Sequence, residues 1–85
     1  MQIVPGMPQA QASHQRQNTE QLLASTEANL QQIAGRNLNA TQQETVGQIR
    51  NYIVEAHSAL KDGDTQRAHR LADKAQQLAD DLVKH

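Results

Sequence analysis

An all-α fold, a three-helix up-down-up antiparallel bundle, is what this chain is expected to form. Three observations predict it. Val46, Ile49, Ile53, Ala56 and Leu60 recur at alternating three- and four-residue steps before one tight turn, Lys61-Asp62-Gly63-Asp64. Ala68, Leu71, Ala72, Ala75, Leu78, Ala79 and Leu82 recur in the same way after it. Such spacing gives each helix an apolar stripe, and the short connection makes the two pack antiparallel. A third stretch, from Ala10 up to Gly35, lacks proline and glycine and carries Leu22, Leu23, Leu30, Ile33 and Ala34. The helices are placed at about 19–35, 42–61 and 65–84.

Residues 1–9 are read as an extended N-terminal arm and 10–85 as one helical domain whose core is the 42–84 hairpin. Pro5 and Pro8 remove backbone donors and push their predecessors toward extended geometry. Ile3, Val4 and Met7 could dock on a neighbour, although a frayed terminus is the simpler reading. Upstream of the first leucines, Gln9 to Gln21 is dominated by polar residues, and Asn18-Thr19-Glu20-Gln21 reads as a capped helix start.

Gly35, Asn37 and Asn39 tolerate the left-handed backbone that ends helices, and Leu38 is the residue expected to tuck this connection onto the bundle. Thr41-Gln42-Gln43-Glu44 fits a capping box, with the Thr41 hydroxyl and the Glu44 carboxylate each satisfying the other's amide. Gly47 is a modest weakness inside the second helix. Gly63 suits the left-handed position past that helix, and Asp64 is a good N-cap for the third. Near its end, Asp80 and Asp81 stand four and three residues from Lys84, within ion-pair reach on a helix.

The chain has 85 residues, no Cys, Trp or Phe, and Tyr52 as its sole aromatic. Its core must be built from Leu, Ile, Val and much Ala, and small alanines bury little area each. Marginal stability as a monomer is expected, or support from self-association or a protein partner. A formal net charge of −1, with scattered cations and no stacking aromatics, disfavours nucleic acid. No window approaches the roughly 18 apolar residues of a membrane span. The N-terminus lacks a basic region and a long apolar run, so it is not a complete signal peptide. Either the protein is cytoplasmic or an export signal has been removed from it, and a bias to Gln, Asn, Thr and Ala leans toward the second, a bacterial envelope protein, periplasmic or lipid-tethered.

The segment Tyr52 to Ala75 resembles one tetratricopeptide-type helical hairpin. Tyr52 stands at the bulky aromatic position, Ala56 at the small position of the first helix, and Gly63-Asp64 at the turn. Ala68, Ala72 and Ala75 occupy the positions where that family packs its second helix on its first. A larger residue is more usual at Ala72, the terminal proline is missing near Asp80, and only one unit exists. The resemblance implies a protein-interaction role without catalysis.

Candidate chemistry is sparse. Folding about Gly63 is expected to bring His57 and His69 to neighbouring levels, flanking the apolar stripe, but a metal site there would need a carboxylate or a third histidine. Solvated surface histidines are the favoured reading, and His14 and His85 sit in polar or terminal positions. No paired carboxylates lie on an apolar face, and Ser13, Ser25 and Ser58 lack the context of a nucleophile elbow. The four glycines form no phosphate loop. No enzyme, cofactor or small-molecule substrate is therefore expected.

Tyr52 is read first as closing the bundle edge and second as an anchor for a partner. Val54 and Val83 lie off the stripes, as a second contact surface or as the widened stripes a three-helix bundle needs. Fourteen glutamines give a surface that hydrogen-bonds without strong charge preference. The reading that emerges is a small non-enzymatic scaffold or accessory protein working by helix–helix contact. A structural envelope component and a His57/His69-dependent metal-responsive regulator stand as the alternatives.

Overall fold

A computed structural model describes residues 9–84, with side chains from residue 13 onward. Three helices follow in order: α1 (Gln9–Ala34), α2 (Ala40–Lys61) and α3 (Thr65–Lys84). They form the expected up-down-up bundle, and no strand occurs among the described residues. The arm expected over 1–9 lies outside those residues except for Gln9, which is already helical.

α3 is the spine. It packs along both α1 and α2, which touch each other only sparsely. The sequence provides for this with Ala68, Ala72, Ala75 and Ala79, all fully buried. Each presents a single methyl, so two neighbouring helices can approach one backbone closely, and many weak dispersion contacts replace the few large ones a leucine core would make. Leu82 closes the stripe at the open end of the hairpin. Facing it, α2 contributes Val46, Ile49, Ile53, Ala56, Ala59 and Leu60, all buried.

On α1 the buried line is Thr19, Leu23, Thr26, Leu30 and Ile33, at steps of four, three, four and three. It begins earlier than the leucines suggest and runs through two threonines. Their hydroxyls donate to carbonyls four residues back, Thr19 to Gln15 and Thr26 to Leu22, each at 2.8 Å. A hydroxyl satisfied within its own helix buries at little cost, so threonine serves here much as valine would. Leu22 is only half-buried and Ala34 is exposed.

Two expected helix starts are corrected. α1 begins at Gln9 and not near Thr19. Thr19 is not its cap, since the bond from its hydroxyl to the Gln15 carbonyl requires a turn of helix already formed upstream. Ala and Gln are good helix formers, and the Arg16 guanidinium also ties this segment to the Leu60 carbonyl at 3.2 Å.

α2 is capped by Asn39, not by the Thr41–Glu44 box. Asn39 is extended (φ −77°, ψ 175°). Its side chain accepts from the Gln42 amide at 2.8 Å, and the Gln42 side chain accepts from the Asn39 amide at 2.9 Å. Two overlapping capping patterns compete in this segment, and asparagine is the better N-cap. Thr41 and Glu44 are consequently exposed residues within the first turns of α2. Leu38 does tuck against the core as expected.

The hairpin turn is as expected. Gly63 has φ +82°, the Asp64 amide donates to the Ala59 carbonyl at 2.8 Å, and the Gly63 amide donates to the Leu60 carbonyl at 3.1 Å. These two bonds close α2 with a Schellman motif. Asp64 then caps α3, its carboxylate accepting from the Arg67 amide at 3.2 Å. Asp80 and Asp81 do not pair with Lys84. Among the described residues Arg16 pairs with Glu20 at 3.8 Å, and the His57 ring faces the Glu27 carboxylate at 3.3 Å.

Two outcomes follow for stability. Asn39→Ala should cost about 1 kcal/mol of unfolding free energy, and Thr41→Ala less than about 0.5 kcal/mol, by urea denaturation. Ala72→Leu should cost about 1–3 kcal/mol because the added carbons have no space between α3 and its neighbours. The exposed Gln66→Leu is the control and should stay within about 0.5 kcal/mol of the parent.

Candidate interaction groove

The stripe that α3 turns toward α1 and α2 is not its only ordered line. Arg67, Leu71, Lys74, Leu78 and Asp81 recur at steps of four, three, four and three along its outer side. Leu71 and Leu78 are half-buried against the core cluster, while Arg67, Lys74 and Asp81 are exposed. On α2, Thr41, Thr45, Gln48, Tyr52 and Glu55 recur with the same rhythm. Thr41, Thr45 and Tyr52 of that line border hollows shared with α3.

Two adjoining hollows form a groove along the seam between α2 and α3, and a third lies beyond them on α3 alone. The largest, about 420 Å³, lies at the open end between Asn39, Thr41, Gln42 and Thr45 of the α2 start and Leu78, Asp81 and Leu82 of α3. The next, about 180 Å³, shares Leu78 and Asp81 with it and adds Tyr52, Lys74 and Gln77. The third, about 260 Å³, shares Lys74 and reaches Arg67, Arg70 and Leu71 near the hairpin turn. From Arg67 to Leu82 the three hollows together follow some 22 Å of α3 at 1.5 Å per residue, of which Lys74 to Leu82, about 12 Å, is shared with α2. Tyr52, Leu78 and Leu82 give it apolar lining, Lys74 and Gln77 stand at its middle, Arg67 and Arg70 lie at the turn end, and Asp81 with the polar start of α2 lies at the other.

Tyr52 is half-buried at the bundle edge. Its ring packs on the core cluster from the edge, and the same ring lines the groove. Lys74 Nζ stands 6.0 Å from the ring centroid, at the outer reach of a cation–π contact. Val54 and Val83 do not belong to this surface. Each lies two residues from a groove residue, Tyr52 and Asp81, and two residues are about 200° of helical turn. They are exposed at 66% and 43%, and singly exposed valines need no special account.

The histidines are not brought together. His57 Nε2 faces Glu27 Oε1 at 3.3 Å, and His69 Nδ1 faces the Thr19 hydroxyl at 3.3 Å. Their partners on α1 are eight residues apart, about 12 Å along that helix. Side chains lean toward the N-terminus of their own helix, so residues at one level of an antiparallel hairpin point opposite ways. The neighbouring levels read from the sequence therefore do not make a site. Among the described residues no group of three or more His, Cys, Asp or Glu side chains is placed to hold a metal ion. No described helix is long and apolar enough to cross a membrane.

Sequence reasoning placed Tyr52 at an edge but missed the groove. The signal was present in the second heptad line of α3, hidden because Arg67, Lys74 and Asp81 interrupt its leucines. Comparison with known proteins adds no relative: no family model, curated protein or solved structure matches this chain.

Proposed function

We propose that this chain is a non-enzymatic helical scaffold or accessory protein that acts by helix–helix contact, using the α2/α3 groove to hold a helix of a protein partner. The observation that carries the reading is the groove itself, where Tyr52, Leu78 and Leu82 lie among the threonines of the α2 start and the charges of Lys74 and Asp81. A groove of this length and lining suits an amphipathic helix, whose anchors fall every three or four residues. The likeness of Tyr52–Ala75 to a tetratricopeptide-type hairpin supports the same reading, since that family works through protein contact.

The thin, alanine-rich core also favours it. Alanine stripes bury little area per residue, so an added helix along Tyr52, Leu71 and Leu78 would contribute much to the total. The glutamine-rich remainder of the surface hydrogen-bonds readily to water and gives a partner little to hold.

A photo-crosslinking amino acid at Gln77, within the groove, should capture protein in cells producing the full chain. The same group at Gln31, exposed on α1, should not. Equal capture at both positions, or none at Gln77, would contradict the reading.

A further inference from the structure

We propose that the helix filling this groove belongs to a second copy of the chain, paired antiparallel about a two-fold axis near the middle of α3. The inference rests on the groove reading above and names its occupant. A two-fold interface needs a surface complementary to its own reversed copy. The outer line of α3 has that property. Read forward it is cation, leucine, lysine, leucine, acid, in Arg67, Leu71, Lys74, Leu78 and Asp81. Reversed about Lys74, Leu71 comes opposite Leu78 within one residue, and Arg67 comes opposite Asp81.

Charge argues for this pairing over others. Neither Arg67, Arg70 nor Asp81 forms an ion pair among the described residues. Arg67 and Asp81 are 14 residues apart on one helix, about 21 Å, so they cannot neutralise each other within a chain. A parallel arrangement would set Arg67 against Arg67 and Asp81 against Asp81 of the second copy. The antiparallel one sets Arg67 against Asp81 twice over, and its one like-charge meeting is Lys74 with Lys74 of the second copy at the axis. Lys74 falls close to the axis, where its long exposed stem leaves its ammonium group free to turn toward solvent and the Tyr52 ring.

The product is a four-helix bundle, α2 and α3 of each copy, with α1 on the outside of each α3. It would cover Tyr52, Leu71 and Leu78 and thicken a core made thin by alanine.

Reciprocal charge reversal tests the pairing, because Arg67 and Asp81 are both exposed and their replacement leaves the core intact. Sedimentation equilibrium at low salt should show the parent chain in a monomer–dimer equilibrium. Arg67→Asp alone and Asp81→Arg alone should each weaken dimerisation about tenfold or more. The chain carrying both should return to within about threefold of the parent, since each reversed residue again meets an opposite charge. Circular dichroism should show all three variants folded, with the helical content of the parent. A monomeric parent at millimolar concentration, or a doubly reversed chain weaker than either single variant, would overturn the proposal. If the parent is monomeric while Gln77 still captures a different protein, self-association falls and the groove reading stands.

Discussion

Everything in this structure depends on how closely two helices can approach the alanine line of a third. Ala68, Ala72, Ala75 and Ala79 let α3 sit between α1 and α2 without larger side chains holding them apart. The other two helices then need few contacts with each other, and they make few. The arrangement costs apolar area, because four alanines bury far less than four leucines would. It also divides the outside of α3. One side is used twice over for the core, and the other is left with two half-buried leucines and a row of charges.

The hairpin was legible in the sequence because every level of signal agreed there. Stripe spacing, the Gly63 turn and the Asp64 cap point to one geometry, and that geometry is found. α1 was harder to read because its buried line runs through Thr19 and Thr26. Threonine is polar by composition, but it becomes a core residue once its hydroxyl bonds to its own helix. A periodicity search over apolar residues alone therefore starts the stripe too late. The α2 start was misread for a different reason, since Asn39–Gln42 and Thr41–Glu44 both satisfy the capping pattern and only the backbone geometry decides.

The groove lay beyond reach for a third reason. Its residues carry opposite signals in sequence: leucine and tyrosine belong to a core, arginine, lysine and aspartate to a solvated face. Only their placement along one seam shows a surface that sets leucine and tyrosine among charges. The histidines went the other way. They stand at symmetric distances from the turn, but the direction of each side chain sends them to separate partners on α1. Symmetry of spacing places backbones, and side-chain direction decides what can meet.

The central claim is that α3 is the spine against which both other helices are held. Native-state hydrogen exchange followed residue by residue measures this directly. Amides of α3 from Ala68 to Ala79 should be the slowest to exchange, opening only with global unfolding, with Leu23 to Ile33 of α1 and Ile49 to Leu60 of α2 approaching the same limit. If the α3 amides exchange faster than those of either neighbour, or if all of α1 opens far below the global limit while the hairpin stays protected, the account is wrong.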